Sequence, residues 1–259
     1  MDSISKSVLS IASSLAKSFA SNVIEKWTRY RAESFFKEFQ NRLLENRFKG
    51  DAQVDVAKEI DDILSTDMGS EIMFDAYRRV SLARSKDVGP RIIGLLTAEL
   101  CIEERAADDF EELIFSVAET LNDREMVEAL SFINNWFELS KNGKPKGCLS
   151  GSAYIEEDEL RYVLDHDEIE DVSYLPNSKE IDLSADILYE EFGSGVQKLK
   201  NLGVLTTKIQ QSTFSYLEDN ERHIDQDGTA QVTIKLIVFP LRYRRILTLI
   251  EQASSGVKL

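Results

Sequence analysis

Cysteine, histidine, tryptophan and proline are all scarce in this 259-residue chain, at two, two, two and four residues. Two cysteines, Cys101 and Cys148, cannot build a disulfide framework and suit a reducing compartment. Two histidines, His166 and His223, leave little material for a histidine-based active site, and the four residues together lack metal-ligand spacing. No metal and no cofactor is therefore expected. Base is also in deficit: 31 Lys and Arg stand against 46 Asp and Glu, a net charge of −15, which argues against nucleic acid as the main ligand of the whole surface. No run is long and apolar enough to span a bilayer, for which about 20 residues are needed. The nearest candidate, Ser3 to Ile24, is interrupted by Lys6, Lys17 and eight serines, and it lacks the compact apolar block and cleavage site of a secretory signal. The expected location is the cytoplasm, with peripheral contact at the inner membrane as the alternative. Neither the phosphate-cradling G-x-x-x-x-G-K-[ST] loop nor a G-x-G-x-x-G after a strand occurs.

What is present is a sizeable apolar fraction, 42%, beside 30% charged residues, enough to bury a core. From Met1 to Lys49 there is neither glycine nor proline. Apolar residues recur there at Ile4, Val8, Ile11, Leu15, Phe19, Val23 and Trp27, and continue through Phe35, Phe39 and Leu43. Steps of three and four predict one long helix with a single apolar face, stopped at Gly50. Further helices are predicted after an Asp51 cap, through Ile72 to Leu82, after Gly89-Pro90, after Asp108 or Asp109, and after Asn122. Five or six helices with short connections imply an antiparallel bundle over residues 1–140. Residues 141–152 (KNGKPKGCLSGS) hold three glycines, one proline and almost no large apolar residue, which makes them a linker.

Residues 153–259 read differently. A short helix around Leu188 and Phe192, a tight turn at Gly193-Ser194-Gly195 and a second short helix ending near Gly203 have helix-turn-helix spacing. Val204–Thr207, Thr213–Leu217 and Gln231–Phe239 are β-rich, with Glu218–Gly228 as a long polar hairpin tip, and a last helix follows Pro240. The fold class expected is mainly α: a helical bundle with a long first helix, then a smaller α+β winged-helix-like domain.

Charge is unevenly shared. Residues 3–49 carry nine bases and four acids, net +5, whereas residues 50–259 carry 22 bases and 41 acids, net −19. The basic arm either lies against the acidic body with its apolar stripe in the core, or seeks a membrane interface or a partner groove. Its exposed bases, Lys6, Lys17, Lys26, Arg29 and Arg31, and a second cluster, Arg242, Arg244 and Arg245, are the candidate partner-binding residues. A DNA role for Gln197, Lys198, Lys200 and Asn201 is opposed by the hairpin tip, where Glu218, Asp219, Glu221, Asp225 and Asp227 outnumber Arg222 and would be repelled by phosphates.

Two chemical patterns stand out. The run Asp165–Asp171 could attract a hard cation but lacks calcium-loop spacing and a central glycine, and it reads as a solvated acidic loop. Arg161 and His166 have the R-x4-H spacing of helical ribonuclease domains resembling the HEPN family. There the His would act on the ribose 2′-hydroxyl and the Arg would stabilise phosphate charge. Tyr162 replaces the small polar residue usual after the Arg.

The stretches Tyr77–Ser85, Ile92–Leu96 and Asp108–Phe110, with the helix-turn-helix-like unit ending at Leu199–Leu205, resemble bacterial helical proteins grouped around abortive-infection (Abi-alpha-like) domains. The likeness covers roughly residues 23–253. It implies a helical domain joined to a winged-helix-like end and a role in phage–host conflict, without implying an enzyme. The expectation is a non-enzymatic protein that acts through protein–protein contacts, with self-association as a further partner reading. The alternatives are a membrane-acting effector using residues 1–24 and a ribonuclease using Arg161 and His166.

Overall fold

A computed structural model describes residues 28–45, 56–143, 150–170, 186–218 and 226–255. The chain divides into two compact units, one of Met1–Arg124 with Leu249–Leu259 and one of Glu125–Thr248. The fold class is the expected one: six helices, then an α+β part built on a four-strand antiparallel sheet. Residues 144–149 of the glycine-rich segment lie outside the described residues.

In the first unit, α1 is helical over 28–45, followed by α2 (Val56–Leu64), α3 (Asp67–Leu82), α4 (Val88–Glu103) and α5 (Asp109–Thr120). The centre is α4, twelve of whose sixteen residues are buried, so it is packed on nearly all sides rather than amphipathic. Gly94 lets α1 cross it closely, since a Cβ there would lie 2.5 Å from the Phe35 carbonyl oxygen. Phe35, Phe39 and Leu43 of α1 are buried, and Arg42 donates to Glu99 at 2.5 and 3.1 Å. Helix starts follow local chemistry. The Thr66 hydroxyl accepts from Gly69 N–H at the start of α3, and Asp108 with Glu111 forms a reciprocal capping box on α5. Pro90 sits in the first turn of α4, where its missing N–H costs nothing.

In the second unit, α6 (Asp123–Ser140, from Glu125 onward), β1 (Ala153–Glu156), β2 (Glu159–Glu170), α7 (Asp186–Asn201), β3 (Thr206–Glu218) and β4 (Gln226–Pro240) precede a 3-10 turn, Leu241–Tyr243, and the start of α8 (Arg244–Ser254). The strand order is β1-β2-β4-β3, every pair antiparallel. On one face of the sheet Tyr162 stacks on Trp136 at 5.0 Å, with Phe192 set edge-on to both. On the other, Tyr154, Val163, Leu236 and Val238 form a buried cluster. The Gly193–Gly195 turn is a kink inside α7. Gly193 has φ +76, and a Cβ on Gly195 would lie 2.4 Å from the Glu125 carbonyl oxygen.

Three local expectations are corrected. The acidic run from Asp165 to Glu170 belongs to strand β2 rather than to a loop, and β1 with β2 adds two strands to the expected hairpin. Thr206–Glu218 is one strand where two short ones are predicted, because the intervening residues Lys208 to Ser212 pair with β4 without a break. Pairing reaches Glu218 opposite Gln226, so the hairpin tip is shorter than Glu218–Gly228. Residues 1–27, 46–50 and 219–225, and Ser184, lie outside the described residues.

The β1–β2 turn is made by Glu157 and Asp158 at φ +53 and +60. A two-residue hairpin with both φ positive is a type I′ turn, which favours Asn-Gly. Asp158→Gly is therefore expected to raise stability by about 0.5 kcal/mol by removing the Cβ strain. A higher urea midpoint checks this; a lower one would show that the strain is already offset.

Candidate functional site

The surface of the first unit carries two adjoining hollows, about 250 and 190 Å³, that share Met68 and Ile72 of α3. They form one trough. Its floor is apolar, from Met68, Ile72, Ala76, Leu100 and Phe115, because α3 sends the same i, i+4, i+8 stripe that elsewhere enters the core past the ends of α4 and α5. Met68 remains 42% exposed, enough to be a contact surface rather than a core residue. Among the described residues its rim is acidic, with Asp62, Glu71, Asp75, Glu104 and Glu112, and no described lysine, arginine or histidine lines either hollow.

Beneath one end lies Arg79, a buried arginine. It donates to Asp75 at 2.5 Å, to Glu112 at 2.9 Å and to Glu119 at 3.0 Å, and its guanidinium lies 4.3 Å from the centre of the Phe115 ring. Burial works to raise the Asp75 pKa, but hydrogen bonds from Arg78 and Arg79 outweigh it and hold the carboxyl below its usual range. Two arginines, Arg78 and Arg79, against three carboxylates still leave this end with a net negative charge. Burial pushes the Cys101 thiol, which also lines the trough, up to about 12, so it stays a protonated, unreactive wall. Two open, side-chain-sized hollows along one trough match the successive side chains of a docked segment.

The residues singled out from the sequence fall in other places. Lys6, Lys17 and Lys26 lie outside the described residues. Arg29 is exposed on α1, whereas Arg31 is half-buried and donates to the Ser81 carbonyl at 3.3 Å. Arg242 is exposed, covers the Tyr243 ring and donates to its hydroxyl at 3.0 Å. Arg244 lies over Phe137, and Arg245 is half-buried.

The ribonuclease pair is not brought together. Arg161 lies opposite Val238 and His166 opposite Ile234, four register positions along β4 and so about 13 Å apart. Arg161 is 4% exposed, and its guanidinium is held by Glu156, by Glu157 at 3.0 Å and by Glu159 at 3.0 Å. It is committed to carboxylates and not presented to a phosphate. His166 belongs to a strand, not to a loop. Among the described residues no cluster of His, Cys, Asp or Glu could hold a metal ion, and no helix is long and apolar enough to cross a membrane.

No family model matches the chain, and neither the curated proteins nor the solved structures contain a match.

Proposed function

We propose that this chain is a non-enzymatic interaction protein whose helical unit binds an amphipathic, basic segment of another protein in the α3 trough. The observation that carries this reading is the apolar floor with a rim whose described charged residues are all acidic. Inserted side chains at helical spacing supply the buried area, and lysines or arginines beside them meet the rim carboxylates and set specificity. The resemblance to abortive-infection proteins supports phage–host conflict as the setting for such a contact.

The test is fluorescence anisotropy with the intact chain and an 18-residue peptide of leucine and lysine at amphipathic helical spacing. Saturable, salt-sensitive binding is expected, weakened about tenfold or more by Glu71→Lys with Glu104→Lys, a loss of roughly 1.4 kcal/mol. An equal affinity for a leucine–glutamate peptide, or no response to the rim reversal, would overturn it.

A further inference from the structure

We infer that the outer face of α3 makes a symmetric, antiparallel contact with the α3 of a second copy of this chain. Ser70, Phe74, Tyr77 and Ser81 follow one another at steps of four, three and four, so they form one stripe along the helix, and all four are exposed. Phe74 is 72% and Tyr77 60% exposed, on the side of α3 away from Gly69, Ala76, Arg79 and Val80, which enter the core. Two aromatic rings held in water on a four-turn helix mark a contact surface, since such side chains concentrate at protein interfaces. Neither ring lines the trough, so the two surfaces are distinct, although Glu71 borders both.

Charge names the occupant. Along the stripe the exposed acids Asp67 and Glu71 come first and the exposed bases Arg78 and Arg84 come last, so the face is negative at one end and positive at the other. A surface of that kind complements itself when inverted. With a twofold axis crossing α3 midway between Phe74 and Tyr77, Phe74 meets Tyr77 of the second copy and Ser70 meets its Ser81. Glu71 then meets Arg78 and Asp67 meets Arg84, each pair occurring twice. Four aromatic rings form the centre, and the serines on either side let the two backbones approach.

The charges already in place permit this. Arg78 gives N–H groups to Asp75 at 3.1 and 2.6 Å, and a guanidinium with five donors has others for Glu71 of the second copy. Asp75, the acid nearest the axis, is neutralised by Arg78 and Arg79 of its own chain. A uniformly basic segment would meet Arg78 and Arg84 as like charges on this face, and a uniformly acidic one would meet Asp67 and Glu71. One pair of four-turn helices covers less than the roughly 1,200–2,000 Å² of a standard interface, so the dimer is weak, with a Kd on the order of 10–100 µM.

Sedimentation equilibrium of the full-length chain from about 5 to about 500 µM brackets that Kd and tests the contact. Phe74→Ser, at an exposed position that leaves the core alone, is expected to weaken the dimer about tenfold or more. Glu71→Arg sets base against base across the axis, Arg78→Glu sets acid against acid, and each alone is expected to weaken association by about tenfold. Mixed in equal amounts, these two variants bring base opposite acid at both crossings. The mixture is expected to associate as tightly as the unaltered chain, a recovery that damage to the helix would not give. A monomer at every concentration, a dimer indifferent to Phe74→Ser, or a mixture no more associated than its two components would each overturn the proposal.

Discussion

Replacing Asp123 with alanine is expected to lower the unfolding free energy by about 3 kcal/mol, because one carboxylate satisfies the whole entrance of the most buried helix. Asp123 accepts from the backbone N–H of Lys86 at 2.9 Å, of Asp87 at 3.1 Å and of Val88 at 2.8 Å, and from the Ser85 hydroxyl. That hydroxyl in turn accepts from Gly89 N–H at 2.6 Å. The residue in the N-cap position of α4, Asp87, caps nothing with its side chain, which instead accepts from Ser34 of α1 at 3.2 Å. Without Asp123 the first N–H groups of α4 are partly buried with no acceptor, the costly side of the hydrogen-bond balance. Asp123→Asn keeps one carbonyl oxygen and is expected to cost about half as much. Urea unfolding followed by circular dichroism measures both, and faster hydrogen exchange at Val88 and Gly89 localises the loss. A change in Asp123→Ala below about 0.5 kcal/mol would mean that water replaces the carboxylate.

That capping arrangement was only half legible in the sequence. Gly89-Pro90 marks where α4 begins, since proline tolerates a first turn, but its cap comes from Asp123, 35 residues further on, and no local pattern announces it. The local cap of α5 was readable, whereas that of α3 at Thr66 was not. Asp108 stands three residues before Glu111, and the structure shows both hydrogen bonds of the box. The kink in α7 was readable too, because two glycines flanking a serine in an otherwise apolar-periodic stretch leave few other conformations.

The trough was hidden for a related reason. Met68, Ile72 and Ala76 carry the same spacing as a core face, and whether such a stripe is covered depends on where α4 and α5 end. The interleaved acids Glu71 and Asp75 were its only outward sign. Charge alone also misplaced Arg31, whose half-buried contact with the Ser81 carbonyl is a tertiary event.

The β1–β2 hairpin escaped for two physical reasons. A buried arginine stands at an inward position of β2, where an alternating pattern would call for an apolar residue. In addition, a register shift between Val163 and Asp165 reverses the parity of the strand midway, so apolar and polar positions stop alternating in phase. The same shift explains why a sequence spacing of five between Arg161 and His166 becomes four register positions on β4.

Arg161 itself is the site of the second large effect. Arg161→Met is expected to cost about 3 kcal/mol at pH 7, by leaving Glu156, Glu157 and Glu159 facing one another around a buried side chain without their shared cation. In the unaltered protein, hydrogen bonds from Lys208 first, and then from Arg161, outweigh burial and hold the Glu159 carboxyl below its usual range. A depressed carboxyl contributes stability that is present above its unfolded pKa, about 4.3, and is lost as pH falls through the lower folded value. The unaltered protein should therefore be no more stable at pH 5 than at pH 7 through this group, and less stable below pH 4. In Arg161→Met the sign reverses. Glu156 and Glu159, the two less exposed carboxylates, then lie close together without their shared cation, so the folded state takes up a proton more readily than the unfolded chain and gains stability as pH falls from 7 towards 5. Lys208, at 2.7 Å from Glu159, moderates that gain without removing it, since it reaches only one of the three. Urea midpoints of the two proteins at pH 7, 5 and 3.5 test the crossing. Parallel pH profiles would show that the three glutamates separate into solvent when the arginine is gone, and that Arg161 contributes through the packing of its stem beside Tyr154 and Val238 rather than through its charge.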